Sequence, residues 1–196
     1  MSAGFASSKG RRGVRWLPFV LLLVCVAPLI AAYVVFEFWS PVRRMNYGEL
    51  IKPLSLPETA LARLDGRSFR LSELKGRWVM VQVDEASCAE ACRNKLYQMR
   101  QVRLTQGRDM QRVERVWLVA DDVPVAQSLV ENYAGTHIVR ARNSVLLARF
   151  PAEHDVRDHI YLIDPLGNLM LRFPRNADPS RMKKDLERLL KVSWVG

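Results

Sequence analysis

Apolar and polar positions divide this chain into two unlike parts. From Trp16 to Phe36 there are 21 consecutive residues without a charge. As a helix rising ~1.5 Å per residue, that run spans about 32 Å, enough for a bilayer core of ~30 Å. It is apolar on every face, and Trp16, Tyr33, Phe36, Phe38 and Trp39 mark its two ends. This pattern predicts a transmembrane anchor over 16–39 rather than a core helix. A cleaved signal peptide fits less well, because Ala31 and Ala32 are adjacent and no A-x-A pattern occurs between Trp16 and Trp39.

Beyond the anchor the periods shorten. Residues 40–60 contain Pro41, Pro53 and Pro57 with neither a helical nor a strand period, and predict an extended tether. Asp65-Gly66 is a tight-turn signal inside a small hairpin over 62–71, and Leu71 to Gly76 is one helical turn stopped by glycine. The run from Trp78 to Val83, apolar but for Gln82, predicts a central strand buried on both faces. Ala89, Cys92, Leu96 and Met99 then fall three or four apart, with Arg93, Lys95, Arg100 and Arg103 mostly opposite, which predicts an amphipathic helix to about Leu104.

Further on, the pattern predicts a strand over Val113–Ala120, a helix from Pro124 to about Tyr133, a short strand over His137–Val139 and a short helix over Ser144–Phe150. Strands over 159–163 and 169–173 flank Asp164-Pro165-Leu166-Gly167, where proline suits turn position i+1 and glycine i+3. A last helix from Pro179 to about Lys191 presents Met182, Leu186, Leu189 and Leu190 to the core. The order implies an α/β sandwich over 61–196 with helices on both sides of a mixed central sheet.

The length of 196 residues suits one globular domain, and 49% hydrophobic with 26% charged residues excludes disordered and fibrous classes. Charge matters more for topology. The net +10 separates into +4 over 1–15, −1 over 16–39 and +7 over the remainder. The tight cluster Lys9, Arg11, Arg12 and Arg15 predicts a cytoplasmic tail at 1–15. The anchor then lies in the inner (cytoplasmic) membrane, with an exported, periplasmic domain. A basic surface favours anionic lipid or an acidic partner as readily as plain solvation. No nucleic-acid motif, Gly-rich phosphate loop, H-E-x-x-H helix or G-x-S-x-G elbow occurs.

Of three cysteines, Cys25 lies in the anchor, so Cys88 and Cys92 alone are placed for aqueous chemistry. Their separation of four puts both at the start of one helix and within disulfide reach. The helix N-terminus favours a thiolate on Cys88, while Asp84, Glu85 and Glu90 oppose it. A structural disulfide and a working dithiol both remain open. The position after a central strand favours the second, and a bond closing so short a loop stabilises little.

At this point the chain resembles a known family. Leu64-Asp65-Gly66, Leu71-Ser72-Glu73-Leu74-Lys75-Gly76-Arg77-Trp78, the following strand and the C-x-x-x-C pair are similar to the Sco/SenC proteins, and so is Tyr161 to Asn168. These are thioredoxin-like, membrane-anchored factors that assist copper insertion into cytochrome c oxidase, and the similarity covers roughly residues 60–190. It implies a thioredoxin-like three-layer sandwich in which Cys88 and Cys92 are either copper thiolates or a redox couple. It also implies a histidine ligand, for which Asp158-His159 is the nearest match, displaced by three residues. An odd displacement along a strand reverses the face of a side chain, whereas a loop before the strand would absorb it.

With His159, the two thiolates would form a Cu(I) site, a donor set better suited to that soft ion than to zinc. The partner so implied is a copper-site or disulfide-bearing subunit of a respiratory oxidase. The alternatives are a thiol-disulfide oxidoreductase of exported proteins and a non-catalytic interaction module.

Overall fold

The structure is a computed structural model describing residues 16–39 and 46–193. The expectations for the tail 1–15 and for 40–45 lie outside the described residues. The chain divides into two units, Met1–Arg44 and Met45–Gly196. In the first, α1 (Leu17–Trp39) is one helix of 23 residues with Pro28 inside it. Its stretch Pro18–Val35 is long and apolar enough to cross a membrane. A proline is tolerated in such a helix where its neighbourhood satisfies the freed backbone groups.

The second unit is built on one eight-stranded sheet. Its strands are β1 (Glu49–Ser55), β2 (Leu61–Arg63), β3 (Ser68–Phe69), β4 (Trp78–Asp84), β5 (Val113–Val119), β6 (His137–Arg140), β7 (Ile160–Ile163) and β8 (Asn168–Phe173), in the spatial order β1-β8-β7-β4-β5-β6-β2-β3. β4, β5 and β6 run parallel, and the remaining pairs are antiparallel. The mixed sheet of the sequence reading is therefore present, with the apolar run 78–83 at its centre. Its helices are α2 (Glu90–Leu104), α3 (Gln127–Asn132) and α4 (Pro179–Val192).

Alternation along the strands separates two cores. Trp78, Met80, Ile160, Leu162, Leu171 and Phe173 face Met99 and Val102 of α2 and Met182, Leu186 and Leu190 of α4. Val79, Val81, Val83, Val116, Leu118, Tyr161 and Ile163 face the other way, onto Phe69, Leu74, Leu146 and Phe150. The outer layer on that second side consists of single 3-10 turns, Leu71–Leu74, Leu147–Arg149 and Val156–Asp158, with their loops. The helix expected over 144–150 is one of these turns. The helix expected from Pro124 shortens to six residues beginning at Gln127.

The largest departure lies at 40–60. Glu49–Ser55 is not tether but an edge strand, paired with β8 through Glu49–Arg172 and Leu54–Leu169, with the register shifting between Leu50 and Leu54. Pro53 falls in that shift, where a missing N–H costs no ladder bond. The attachment is reinforced by Arg172 Nε, which donates to Glu49 Oε2 at 2.7 Å.

Capping and turn residues behave as their chemistry dictates. Asp178 caps α4 by accepting from the Ser180 amide at 2.8 Å, with Pro179 in the first turn. Asp164 accepts from the amides of Leu166 and Asn168 at 3.0 and 2.8 Å, and Gly167 turns the β7–β8 hairpin at φ +92°.

Candidate functional site

The centre of the sheet delivers the cysteine pair. β4 ends at Asp84, and the loop 85–89 leads into α2, its Ala86 amide donating to both Asp121 carboxylate oxygens at 3.2 Å. Within this loop Cys88 closes a turn onto the Glu85 carbonyl at 3.1 Å and adopts φ +41°, a left-handed conformation unfavourable to a residue with a Cβ. Ala89 is the N-cap and has no side-chain acceptor, so no side chain caps the first N–H groups of α2 beside Cys88.

Cys92 is the third residue of α2, and the two sulfurs are bonded, with the Cα atoms 5.0 Å apart. The expectation of disulfide reach at a helix start is met. Both sulfur-bearing residues are shut off from solvent, with Cys88 0% and Cys92 1% exposed, although Glu85, Ser87 and Ala89 around them are open. Ala86, Leu96, Trp117, Val119, Leu129 and Ile138 enclose the pair, with Val125 and Tyr133 packed against them. The polar contact to the bond is Gln82, whose buried amide donates to Cys92 Sγ at 3.6 Å.

One turn beyond Cys92 stands a residue whose place the sequence reading missed. Lys95 was expected on the solvent side, but it is buried. Its ammonium pairs with Asp84 at 2.9 Å and donates to the carbonyls of Val83, at 3.3 Å, and Arg157. The signal was available, since Lys95 lies three after Cys92 and four before Met99 and so shares their face. Arg157 extends the network outward, pairing with Glu85 at 2.5 Å and Asp155 at 2.8 Å. The Arg157 guanidinium holds the Asp155 carboxyl below its ordinary range. Lys95 thus ties the end of the central strand, the cysteine helix and the loop before β7 together.

His159 does not join the pair. Ile160 and Leu162 face the α2 side, so alternation sends Tyr161 and His159 to the other face. The His159 ring packs edge-on against Tyr161 with centroids 5.8 Å apart, and its Nδ1 lies 2.9 Å from the Phe173 carbonyl oxygen. The three-residue displacement was not absorbed by the loop, because His159 already has extended backbone directly before β7. Among the described residues, no three His, Cys, Asp or Glu side chains gather to hold a metal ion. A three-donor copper site therefore does not fit this arrangement, in which the two sulfurs are bonded to each other.

Comparison with known proteins bears on the fold that carries this pair. The family model for the transmembrane-like, thioredoxin-like C-terminal domain matches residues 78–193. No curated protein sequence matches the chain. Among solved structures, yeast Sco1 with copper bound superposes with a TM-score of 0.60 at 15% identity, over 73% of this chain and 96% of that one. A SCO1/SenC family lipoprotein from Bacillus anthracis gives 0.54 at 18% identity, over 72% of this chain and 99% of that one. A putative protein disulfide isomerase from Bacteroides thetaiotaomicron gives 0.54 at 18% identity, over 74% and 92%. The fold implied by the sequence resemblance is therefore the fold observed, and at these identities the likeness concerns the fold. With more than half of its length matched by the family model, the chain belongs to the family of transmembrane-like, thioredoxin-like C-terminal domains.

Proposed function

We propose that this protein is a membrane-anchored dithiol factor that exchanges disulfides with exported partner proteins, among them copper-site cysteines of a respiratory oxidase. The observation that carries the reading is Cys88 bonded to Cys92 where the central strand meets an uncapped helix start. In the reduced protein the first N–H groups of α2 favour a thiolate on Cys88. That thiolate attacks one sulfur of a partner disulfide, forming a mixed disulfide and releasing the other partner sulfur as a thiolate. Cys92, deprotonated, then attacks Cys88 Sγ, restoring the internal bond and releasing the second partner thiol. Two electrons pass from the cysteine pair to the partner, and an upstream dithiol donor must return them.

Burial of both sulfurs sets a condition on this chemistry. Exchange with a partner therefore requires the loop to open at Ser87 and Ala89, the exposed residues that flank Cys88. A second reading has Cu(I) held between the two thiolates alone, supported by the likeness to copper-bound Sco1.

The test is trapping in detergent-solubilised full chain. With a disulfide-bearing peptide, Cys92→Ala should accumulate a mixed disulfide on Cys88, and Cys88→Ala should not. Cu(I) stoichiometry should be the same with and without His159→Ala. Absence of the trapped species would sink the exchange reading, and loss of copper in His159→Ala would restore a three-donor site.

A further inference from the structure

Gln82 is the polar residue in the apolar run of β4, and it is fully buried. Its main chain lies in the ladder, opposite Trp117 of β5 and Ile160 of β7, so the side chain alone is at issue. The amide N–H of that side chain is spent on Cys92 Sγ at 3.6 Å. Its carbonyl oxygen, equally buried, has no hydrogen-bond partner among the described residues. An amide left half satisfied inside a core is costly, and an apolar side chain of the same size would remove the cost.

Neither polar neighbour supplies the missing donor. Lys95, one turn beyond Cys92, gives its ammonium to Asp84 and to the carbonyls of Val83 and Arg157. Trp117, opposite Gln82, keeps its own indole N–H buried and unpartnered. The sulfur already in contact is the remaining candidate, and its capacity changes with oxidation state. A disulfide sulfur carries no hydrogen and only accepts, whereas a thiol both accepts and donates, as an amide does. The bonded pair therefore serves one side of Gln82, and a reduced Cys92 can serve the other.

We infer that Gln82 biases the Cys88–Cys92 pair toward the dithiol, through an S–H···O bond from reduced Cys92 to its amide oxygen that the disulfide cannot form. The use of this bias rests on the proposed exchange function, in which it eases recharging by the upstream dithiol donor. In that step two electrons from the donor break the S–S bond. Each sulfur of the pair takes up a proton, and the donor's two thiols, having lost theirs, close into a disulfide. One hydrogen bond of difference between the two states moves the balance about tenfold.

The test equilibrates full chain in neutral detergent with mixtures of reduced and oxidised dithiothreitol, then follows alkylation of Cys88 and Cys92 by mass spectrometry. Gln82→Met keeps the length of the side chain and removes both polar atoms. Half-reduction of this variant should need a ratio of reduced to oxidised dithiothreitol about tenfold higher than wild type needs. An unmoved midpoint, or one moved the other way, overturns the proposal. A purely packing role is separated by infrared difference spectra of wild type, reduced minus oxidised, with isotope-labelled glutamine carbonyls. A labelled carbonyl band should move to lower frequency on reduction. An unmoved band overturns the proposal even where the variant shifts its midpoint or fails to fold. Both readouts use a small dithiol and no partner protein. A shifted midpoint and band without any trapped partner would refute the exchange function and leave the bias of Gln82 standing.

Discussion

Reduction of the Cys88–Cys92 bond should cost this domain little stability, although the bond is wholly buried. The bond closes a loop of five residues, for which chain entropy gives about 2 kcal/mol. Against this, the bonded form holds Cys88 at φ +41°, a conformation costing about 1–2 kcal/mol that the reduced loop can relinquish. The difference between oxidised and reduced protein is therefore about 0–1 kcal/mol. For a domain of this size, that corresponds to a shift in Tm of no more than about 4 °C. The assay is thermal unfolding of full chain in neutral detergent, with and without reductant, followed by the fluorescence of buried Trp78 and Trp117. A loss above about 4 kcal/mol would show the bond to be a structural staple and would refute its assignment as an exchanging pair.

Three further outcomes follow from the packing. Lys95→Met should cost about 2 kcal/mol in urea unfolding by leaving the part-buried Asp84 without its cation, and adding Asp84→Asn should recover most of that loss. Equal stability of single and double variants would remove the coupling. Gly48→Ala should lower stability by about 2 kcal/mol, because a Cβ there would lie 2.3 Å from Cδ2 of the buried Leu171, and an unchanged melting curve would contradict the packing of β8. Glu114 has its carboxyl held below the ordinary glutamate value of 4.5 by its hydrogen bond to His137 and then by Arg77. The unfolded chain therefore binds more protons between the folded pKa and 4.5, and the stability present above pH 4.5 is lost as pH falls through that window. Glu114→Gln should flatten this part of the stability profile, and a variant curve parallel to wild type would show Glu114 to be a bystander.

The sheet centre and the dithiol were legible because each rests on short-range rules. A run apolar but for Gln82 cannot be exposed, a proline and a glycine in Asp164-Pro165-Leu166-Gly167 allow little but a turn, and cysteines four apart stay within disulfide reach even with Cys88 in the loop ahead of the helix that carries Cys92. β1 escaped because edge pairing tolerates what a central strand forbids. Pro53 could be discounted only once the register shift around it was known. Lys95 escaped because a charged residue is by default assigned to solvent, and only the Asp84 carboxylate and two carbonyls make its burial favourable. His159 depended on parity alone. One residue either way along β7 separates the face of Cys92 from the face of Tyr161, and a displacement of three residues leaves that choice to the loop.

The two margins of the sheet bear on how this domain survives crowding. An open strand margin invites a second chain to add to it. On one side β3 is only two residues long, and on the other β1 carries Lys52 and Pro53 in mid-strand. Neither offers a run of free amides on which a neighbour could propagate. Beneath β1, however, lies β8, Asn168–Phe173, an almost continuous apolar strand. A proteolytic cut just before residue 61 would strip that cover and convert a soluble fragment into one that self-associates, whereas a cut before Tyr47 would not. The segment 46–60 is thus the domain's guard against aggregation as well as its connection to the anchor.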